Sequence, residues 1–309
     1  PETLALLGHG ENSLFNIENE LKSRYPQLAM KVIVADLRDR SRMDSVFRDV
    51  RPEVVFHAAA HKHVPMMESN VPEAVTNNVQ GTRNLVGLAE AYGVSRFVTI
   101  SSDKAVNPTS VMGTTKRITE LLVRAAGYRV NKPYVCVRFG NVLGSRGSVV
   151  PLFKKQIADG GPITVTHEEM TRFFMTIPEA TQLVLQSAAI GQPGDVFVLD
   201  MGEPIRIVDL AKDLIELSGK RPGLDVEITF TGLRPGEKMH EELFGGVENP
   251  TRTVHEKILR APNQQSHEHL DEQVDTLIGF AGRGDADSVI SQLRVIVPEF
   301  EPQAPATTG

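Results

Sequence analysis

The stretch Arg96-Phe97-Val98-Thr99-Ile100-Ser101-Ser102-Asp103-Lys104, followed after a short loop by Val111-Met112-Gly113-Thr114-Thr115-Lys116, sets the reading of the whole chain. A β-branched and aromatic run that stops on small polar residues reads as a buried strand, and the longer segment Val111 to Val130 reads as a helix. The same alternation continues in both directions. Strands are expected at Thr3 to Leu7, Lys31 to Ala35, Glu53 to His57 and Tyr134 to Phe139, and helices at Ser13 to Lys22, Met43 to Val50 and Pro72 to Tyr92. In the last of these Val75, Val79, Leu85, Val86 and Ala89 recur at helical spacing, with Asn70 placed as a cap and Pro72 suited to the first turn. This pattern predicts an α/β fold, a doubly wound, Rossmann-like parallel sheet with helices on both faces.

After about residue 145 Gly, Pro and polar residues become more frequent, and helices such as Ile207 to Leu217 and Ala286 to Val295 stand between irregular segments. The expectation is a dinucleotide-binding domain over 1–145, a smaller C-terminal substrate domain over 146–302 with some segments returning to the main sheet, and a disordered tail over 303–309. Pro1 leads directly into an apolar run with no initiator Met, as in a chain cut from a longer one.

Of the 309 residues, 40% are hydrophobic and 23% charged, an ordinary globular balance. The net charge of −6 argues against non-specific nucleic-acid binding, although an acidic protein can hold an anion where positive charge is local. The single cysteine, Cys136, lies in a strand-like apolar run; it excludes an intramolecular disulfide and fits a reducing compartment. No stretch approaches the roughly 20 apolar residues of a membrane span, and no signal peptide is visible. No membrane contact from these residues and a cytoplasmic location are expected.

Ligands of a doubly wound sheet bind beyond the carboxyl ends of its strands. There stand Asp103 and Lys104, with Lys116 on the face of the next helix that Met112 shares. This is a general acid/base constellation or, alternatively, a solvated loop with a surface ion pair. Ala58-Ala59-Ala60 would let a cofactor approach the backbone, and Lys62 suits a phosphate or a carbonyl. His57, His61 and His63 lack zinc-like spacing, so no metal site is expected. Asp36 follows a strand and could accept from an adenine amino group or cap a turn. Gly140-Asn141 and Ser145-Arg146-Gly147-Ser148 read as a phosphate-binding approach or as a plain loop. Arg172 and Arg234 are the candidates for localised positive charge.

Taken together, His57-Ala58-Ala59-Ala60-His61-Lys62-His63-Val64-Pro65, Asn77-Asn78-Val79-Gln80-Gly81-Thr82, Ser101 to Thr109, Met112 to Arg117, Arg138 to Ser145 and Leu233 to Lys238 make a pattern. It resembles the polysaccharide-biosynthesis dehydratases that act on UDP-N-acetylglucosamine, a branch of the extended short-chain dehydrogenases. The likeness runs from about residue 3 to about 262.

The resemblance implies a tightly bound NADP or NAD, regenerated in each turnover, and a UDP-N-acetylhexosamine substrate. The sugar is oxidised at carbon 4, loses a proton from carbon 5 and water from carbon 6, and receives the hydride at carbon 6. Lys104 would be the carbon 5 base, provided that desolvation or the positive nicotinamide lowers its pKa, and Asp103 the acid. Ser102 would bond the sugar at carbon 4 and Lys116 the nicotinamide ribose. Met112 stands where most relatives carry Tyr, a mark of one branch. Further cofactor contacts are implied at Asp36, Leu37, Ala58, Ala59, Ala60, Lys62, Asn78, Ser101 and Phe139. Substrate contacts are implied at Asn141, Ser148, Val149, Thr166, Arg172, Arg234 and Glu237. No acidic residue stands at Gly8, and His9 tolerates a 2′-phosphate, so NADP is placed ahead of NAD.

The first strand and glycine-rich turn of the family's cofactor domain are absent, and Gly8-His9-Gly10 is no substitute because it follows the strand that resembles the second. Without that turn the pyrophosphate lacks the amides of a helix N-terminus. In the Met branch, membrane helices precede the missing element. The competing readings are a nucleotide-sugar 4-epimerase, which has no need of Asp103-Lys104, and a non-catalytic nucleotide-sugar-binding fragment. Association of identical subunits through Pro72 to Tyr92 and Val111 to Val130 is also expected.

Overall fold

The computed structural model describes residues 1–245, 249–262 and 268–302, so the tail 303–309 lies outside the described residues. The β-branched runs become parallel strands β1 (Thr3–Gly8), β2 (Ala29–Val34), β3 (Val54–His57), β4 (Arg96–Ile100) and β5 (Tyr134–Arg138). β3, β4 and β5 are hydrogen-bonded neighbours; Val196–Leu199 joins β5 in parallel, and Ile258–Arg260 adds an antiparallel strand beyond it. Phe97, Val98 and Tyr134 to Val137 are fully buried, as strands covered on both faces must be. Cys136 is among them, and burial pushes its thiol well above the usual range.

β1 and β2 pair with each other and make no ladder with β3. Leu7, Ile33 and Val55 nevertheless pack on one apolar cluster with Met43, Phe47, Leu85 and Ala89, so the three strands share one covered face. On the other face Val34, Val54 and Phe56 are about half exposed. The interruption between β1 and β3 lies at the place the resemblance assigns to the family's first strand.

The helices are α1 (Glu11–Arg24), α2 (Arg40–Val50), α3 (Val64–Glu68), α4 (Val71–Ala74), α5 (Gly81–Ala91) and α6 (Val111–Val130). Local chemistry fixes α6 at both ends. Ser110 Oγ accepts from Gly113 N at 3.0 Å, and Asn131 takes the left-handed conformation that stops the helix. The single helix expected over Pro72 to Tyr92 is instead broken by a π-helical turn, Val75–Gln80. That turn carries Asn78, whose amide accepts from His61 N (2.7 Å) and donates to His61 O and Thr115 Oγ1 (both 3.0 Å). The tertiary bonds of one side chain hold the extra residue, and such turns gather at functional sites.

Beyond β5, the helices α7 (Val149–Ala158) and Ile207–Leu217 and the parallel pair Ile163–Val165 and Ile228–Phe230 enclose a second core around Phe153, Ile157 and Ile215. The helices Leu270–Gly282 and Ala286–Ile296 do not join it. Val274, Leu277, Val289 and Leu293 pack on Val75, Val79, Ile118, Leu121 and Leu122 of the first half. Within 146–302 the last two helices therefore pack on the first half, where they cover part of the helices Pro72 to Tyr92 and Val111 to Val130. The helix Leu270–Gly282 lies outside the helices expected from sequence, although Leu270, Val274, Leu277 and Ala281 form an amphipathic stripe. Among the described residues, no helix is long and apolar enough to cross a membrane.

Candidate active site

β4 ends at Ile100, and the chain turns through a short 3-10 helix, Asp103–Ala105. Ser102 Oγ accepts from Lys104 N (3.2 Å) and donates to Asp103 Oδ1 (2.8 Å). Asp103 Oδ1 also accepts from Lys104 N and from Lys104 Nζ, both at 2.9 Å. Its other oxygen, Oδ2, is buried without a hydrogen-bond partner. Two glycines permit this packing. A side chain at Gly113 would collide with the Lys104 carbonyl, and one at Gly140 would stand 2.9 Å from Asp103 Oδ2.

Lys104 Nζ lies 3.5 Å from Glu241 Oε1, which is 3.9 Å from Arg172 Nε. The four charges alternate in sign, and their side chains are 0%, 20%, 3% and 8% exposed in the order Asp103, Lys104, Glu241, Arg172. This is a buried constellation rather than a solvated ion pair. Desolvation pulls the Lys104 ammonium down, but the Asp103 and Glu241 carboxylates outweigh it and hold its pKa above the ordinary lysine value. The lowered pKa that a base requires is therefore not a property of the free protein.

Lys116 reaches back along α6 and donates to Ile100 O at 2.5 Å. Burial brings its ammonium down to about 8 against the pull of Glu120. Glu120, one turn further on, is a hub. It accepts from Ser101 Oγ (2.6 Å), Arg138 Nε and Nη2 (2.7 and 2.8 Å) and Arg117 Nη1 (3.0 Å). Burial alone would raise its carboxyl, but Arg138 and Arg117 hold it at about 2. The Ser101 hydroxyl is thus committed to the interior rather than to a cofactor. Met112 is buried in the apolar cluster with Val64, Met67 and Val111, and its thioether has no proton to transfer.

Of the residues expected at the cofactor, Ala58 and Ala59 are exposed and Ala60 half-buried at the end of β3, followed by His61, which Asn78 holds. Phe139 contributes its carbonyl, which accepts from Asp103 N at 3.2 Å, and Lys62 is exposed. Asp36 binds Arg38 through both oxygens and accepts from the Arg38 amide at 2.9 Å; Leu37 packs beneath Gly81. Asp36 therefore closes a turn, while Asp39 caps α2. His57 is buried against Thr82 Oγ1 at 2.8 Å and kept neutral by burial, its pKa falling to about 3. Among the described residues no cluster could hold a metal ion. A buried lysine beside a strip of small residues fits the nicotinamide-ribose end of a dinucleotide.

Of the residues expected at the substrate, Ser148 stands at the N-cap position of α7 without making a side-chain capping bond, its Oγ buried without a partner, and Val149 is the first helical residue. The His63 ring stands against Gly147. Desolvation, then the charges of Lys62 and Arg234, lower its imidazole pKa. Arg234 is exposed and forked onto Glu237 (3.1 and 2.6 Å). Arg172 differs from expectation. Its guanidinium donates to Thr171 O (2.7 Å), Met239 O (3.1 Å) and Lys238 O (2.9 Å), so it clamps a loop instead of offering a free fork to phosphate. Asn141 extends a two-residue strand onto Phe174, and Thr166 O accepts from Gly232 N at 3.0 Å. Farther along that segment, Glu168, Glu169, Arg206, Lys212 and Phe230 line a cavity of about 460 Å³ that does not include the Asp103–Lys104 pair. Sequence marks His63 only as a motif histidine without zinc-like spacing, and does not point to Glu241. Glu241 sits in a polar loop with no periodicity, and only its nearness to Leu233 to Lys238 hints at it.

The chain matches the family described as polysaccharide biosynthesis protein over residues 1–263. It is 55% identical over 262 residues to the capsular polysaccharide biosynthesis protein CapD of Staphylococcus aureus, covering 84% of this chain and 44% of that one. A UDP-glucose 4-epimerase of Rickettsia canadensis is 39% identical over 217 residues, 69% of this chain and 62% of its own. A UDP-N-acetylglucosamine 4,6-dehydratase (inverting) of Campylobacter jejuni is 36% identical over 226 residues, 72% and 64% of the two chains. The chain thus spans less than two thirds of each of these relatives.

Proposed function

This chain belongs to the polysaccharide biosynthesis protein family, and from that membership we propose that it is the catalytic portion of a UDP-N-acetylglucosamine 4,6-dehydratase. The observation that carries the reading is the buried Asp103–Lys104 pair with Asp103 Oδ2 left unpartnered. Elimination across carbons 5 and 6 takes a proton from one carbon and gives one to the oxygen on the next. It therefore needs an acid and a base side by side.

NADP or NAD, when bound, would supply hydride acceptance from carbon 4 and hydride return to carbon 6. Lys116 would orient its ribose and the alanines at the end of β3 would let it lie close. The carbon 4 hydroxyl proton leaves through Ser102 to water, because Met112 offers no phenol.

Between them Lys104 and Asp103 hold one proton. Moving it across their 2.9 Å bond turns an ammonium and a carboxylate into an amine and an acid. The Lys104 amine then takes the carbon 5 proton, and Asp103 gives its proton to the carbon 6 hydroxyl as the C–O bond breaks and water leaves. Lys104 finally returns a proton to carbon 5, and the pair regains one from solvent. Ser148, Lys62, His63 and Arg234 would hold the diphosphate at the N-terminus of α7.

The test is incubation with UDP-N-acetylglucosamine and either dinucleotide, followed by mass and by NMR at carbon 5, with Lys104→Ala as control. The expected product has lost one water. The Rickettsia canadensis relative favours a second reading, 4-epimerisation, which would return a sugar of unchanged mass with carbon 4 inverted.

A further inference from the structure

The segment after Gly236 runs between the catalytic turn and the Thr171–Arg172 strand, bonded to both. On the catalytic side Thr109 Oγ1 donates to Gly236 O (3.3 Å), Lys238 Nζ to Val106 O (3.0 Å) and Asn107 Nδ2 to Glu242 Oε2 (2.8 Å). On the other side Arg172 holds the Lys238 and Met239 carbonyls, and Thr171 Oγ1 meets His240 Nδ1 at 2.9 Å. These bonds deliver Glu241 to Lys104 from a part of the chain more than 130 residues away. A carboxylate buried there costs stability, since Oε2 has no partner and Oε1 has only looser ionic contacts. Its placement is explained by Lys104 rather than by packing.

We propose that Glu241 is a positioning residue for Lys104, holding the ammonium at the end of β4 and setting the pH at which it releases its proton. The proposal rests on the reading of Lys104 as a proton-transfer group, and its test does not require turnover. The charged groups that act on Lys104 are Asp103 on its own turn, Glu241 from the Gly236-to-Glu242 segment, and Arg172 from the facing strand. Removing Glu241 leaves one anion and two cations, so Lys104 must give up its proton at lower pH.

The experiment is ¹³Cε NMR of labelled lysines through a pH titration of wild type, Glu241→Gln and Glu241→Asp, with Lys104→Arg to assign the signal. The proposal expects the Lys104 transition of Glu241→Gln to fall by about one pH unit or more, a tenfold or larger change in proton affinity. Glu241→Asp, one methylene shorter and still charged, should lie between. The pH dependence of kcat should move the same way, because the limb owed to Lys104 shifts to lower pH whether the group acts as base or acid. A folded Glu241→Gln protein with an unmoved Lys104 transition overturns the proposal. If the Gln variant does not fold, an Asp variant with the wild-type transition overturns it instead. Should the substrate lose no water while the NMR transition moves, the proposed function falls and the role of Glu241 toward Lys104 stands.

Discussion

Two buried charge clusters sit one residue apart at the end of β4, and they are built on opposite plans. Around Ser101, the Glu120 carboxylate takes four hydrogen bonds from Ser101, Arg138 and Arg117, and both its oxygens are used. Around Asp103, Lys104 stands between two carboxylates that each leave one buried oxygen empty-handed. A closed network of this kind ties β4, β5 and α6 together, whereas an open one keeps acceptors in a dry place where a ligand can meet them. The difference separates scaffold from chemistry more sharply than burial or charge alone.

The largest effect is expected on the open side. Lys104→Ala should lower turnover about 100- to 10,000-fold, the usual worth of a positioned acid/base group, while leaving the chain folded. Steady-state rates and a denaturant melt on the same preparation check both halves.

Next comes the closed side. Glu120→Gln removes the carboxylate that Arg138 and Arg117 share, although Arg117 keeps Glu299, and should cost about 3–5 kcal/mol of stability, read as a drop in denaturation midpoint. If the two variants exchanged these outcomes, the division between scaffold and chemistry would be wrong.

A smaller, pH-dependent effect follows from the same hub. The Glu120 carboxyl is held at about 2, below its ordinary 4.5. Its stabilisation is fully present above about 4.5 and lost as pH falls toward 2, a loss that melts of Glu120→Gln should lack. Lys116 runs in the other sense. Held at about 8 rather than 10.5, it opposes folding below about 8, and that opposition fades as pH rises through 10.5. Thermal midpoints of wild type and Lys116→Met across this range should converge with rising pH.

The smallest change belongs to Ser148→Ala. Its Oγ has no partner in the protein, so melting should be unchanged, while KM for the UDP-sugar rises roughly 2- to 10-fold for one lost hydrogen bond.

What sequence shows here is what local chemistry decides. The bounds of α6 are readable because Ser110 and Asn131 cap it within the same few residues, and β4 and β5 because unbroken apolar runs need cover on both faces. The π turn is not readable, since Asn78 is drawn out of register by His61 and Thr115, which are distant in sequence. Asp103 and Lys104 were legible at a strand end, but their third partner was not. Glu241 gains its meaning from a fold that carries a polar loop back across the site. Arg172 misled for a chemical reason: the fork that suits a phosphate also suits three backbone carbonyls, and only the fold chooses between them.

The most direct test of the central claim is the reaction of UDP-N-acetylglucosamine with dinucleotide in D₂O, with product analysed for deuterium by mass and NMR. Elimination through Asp103 and Lys104 predicts a product short of one water and carrying a single deuteron at carbon 5, and no such product from Lys104→Ala. A sugar that keeps its water and takes up no deuterium at carbon 5, or the same labelled product from the Lys104→Ala variant, would contradict it.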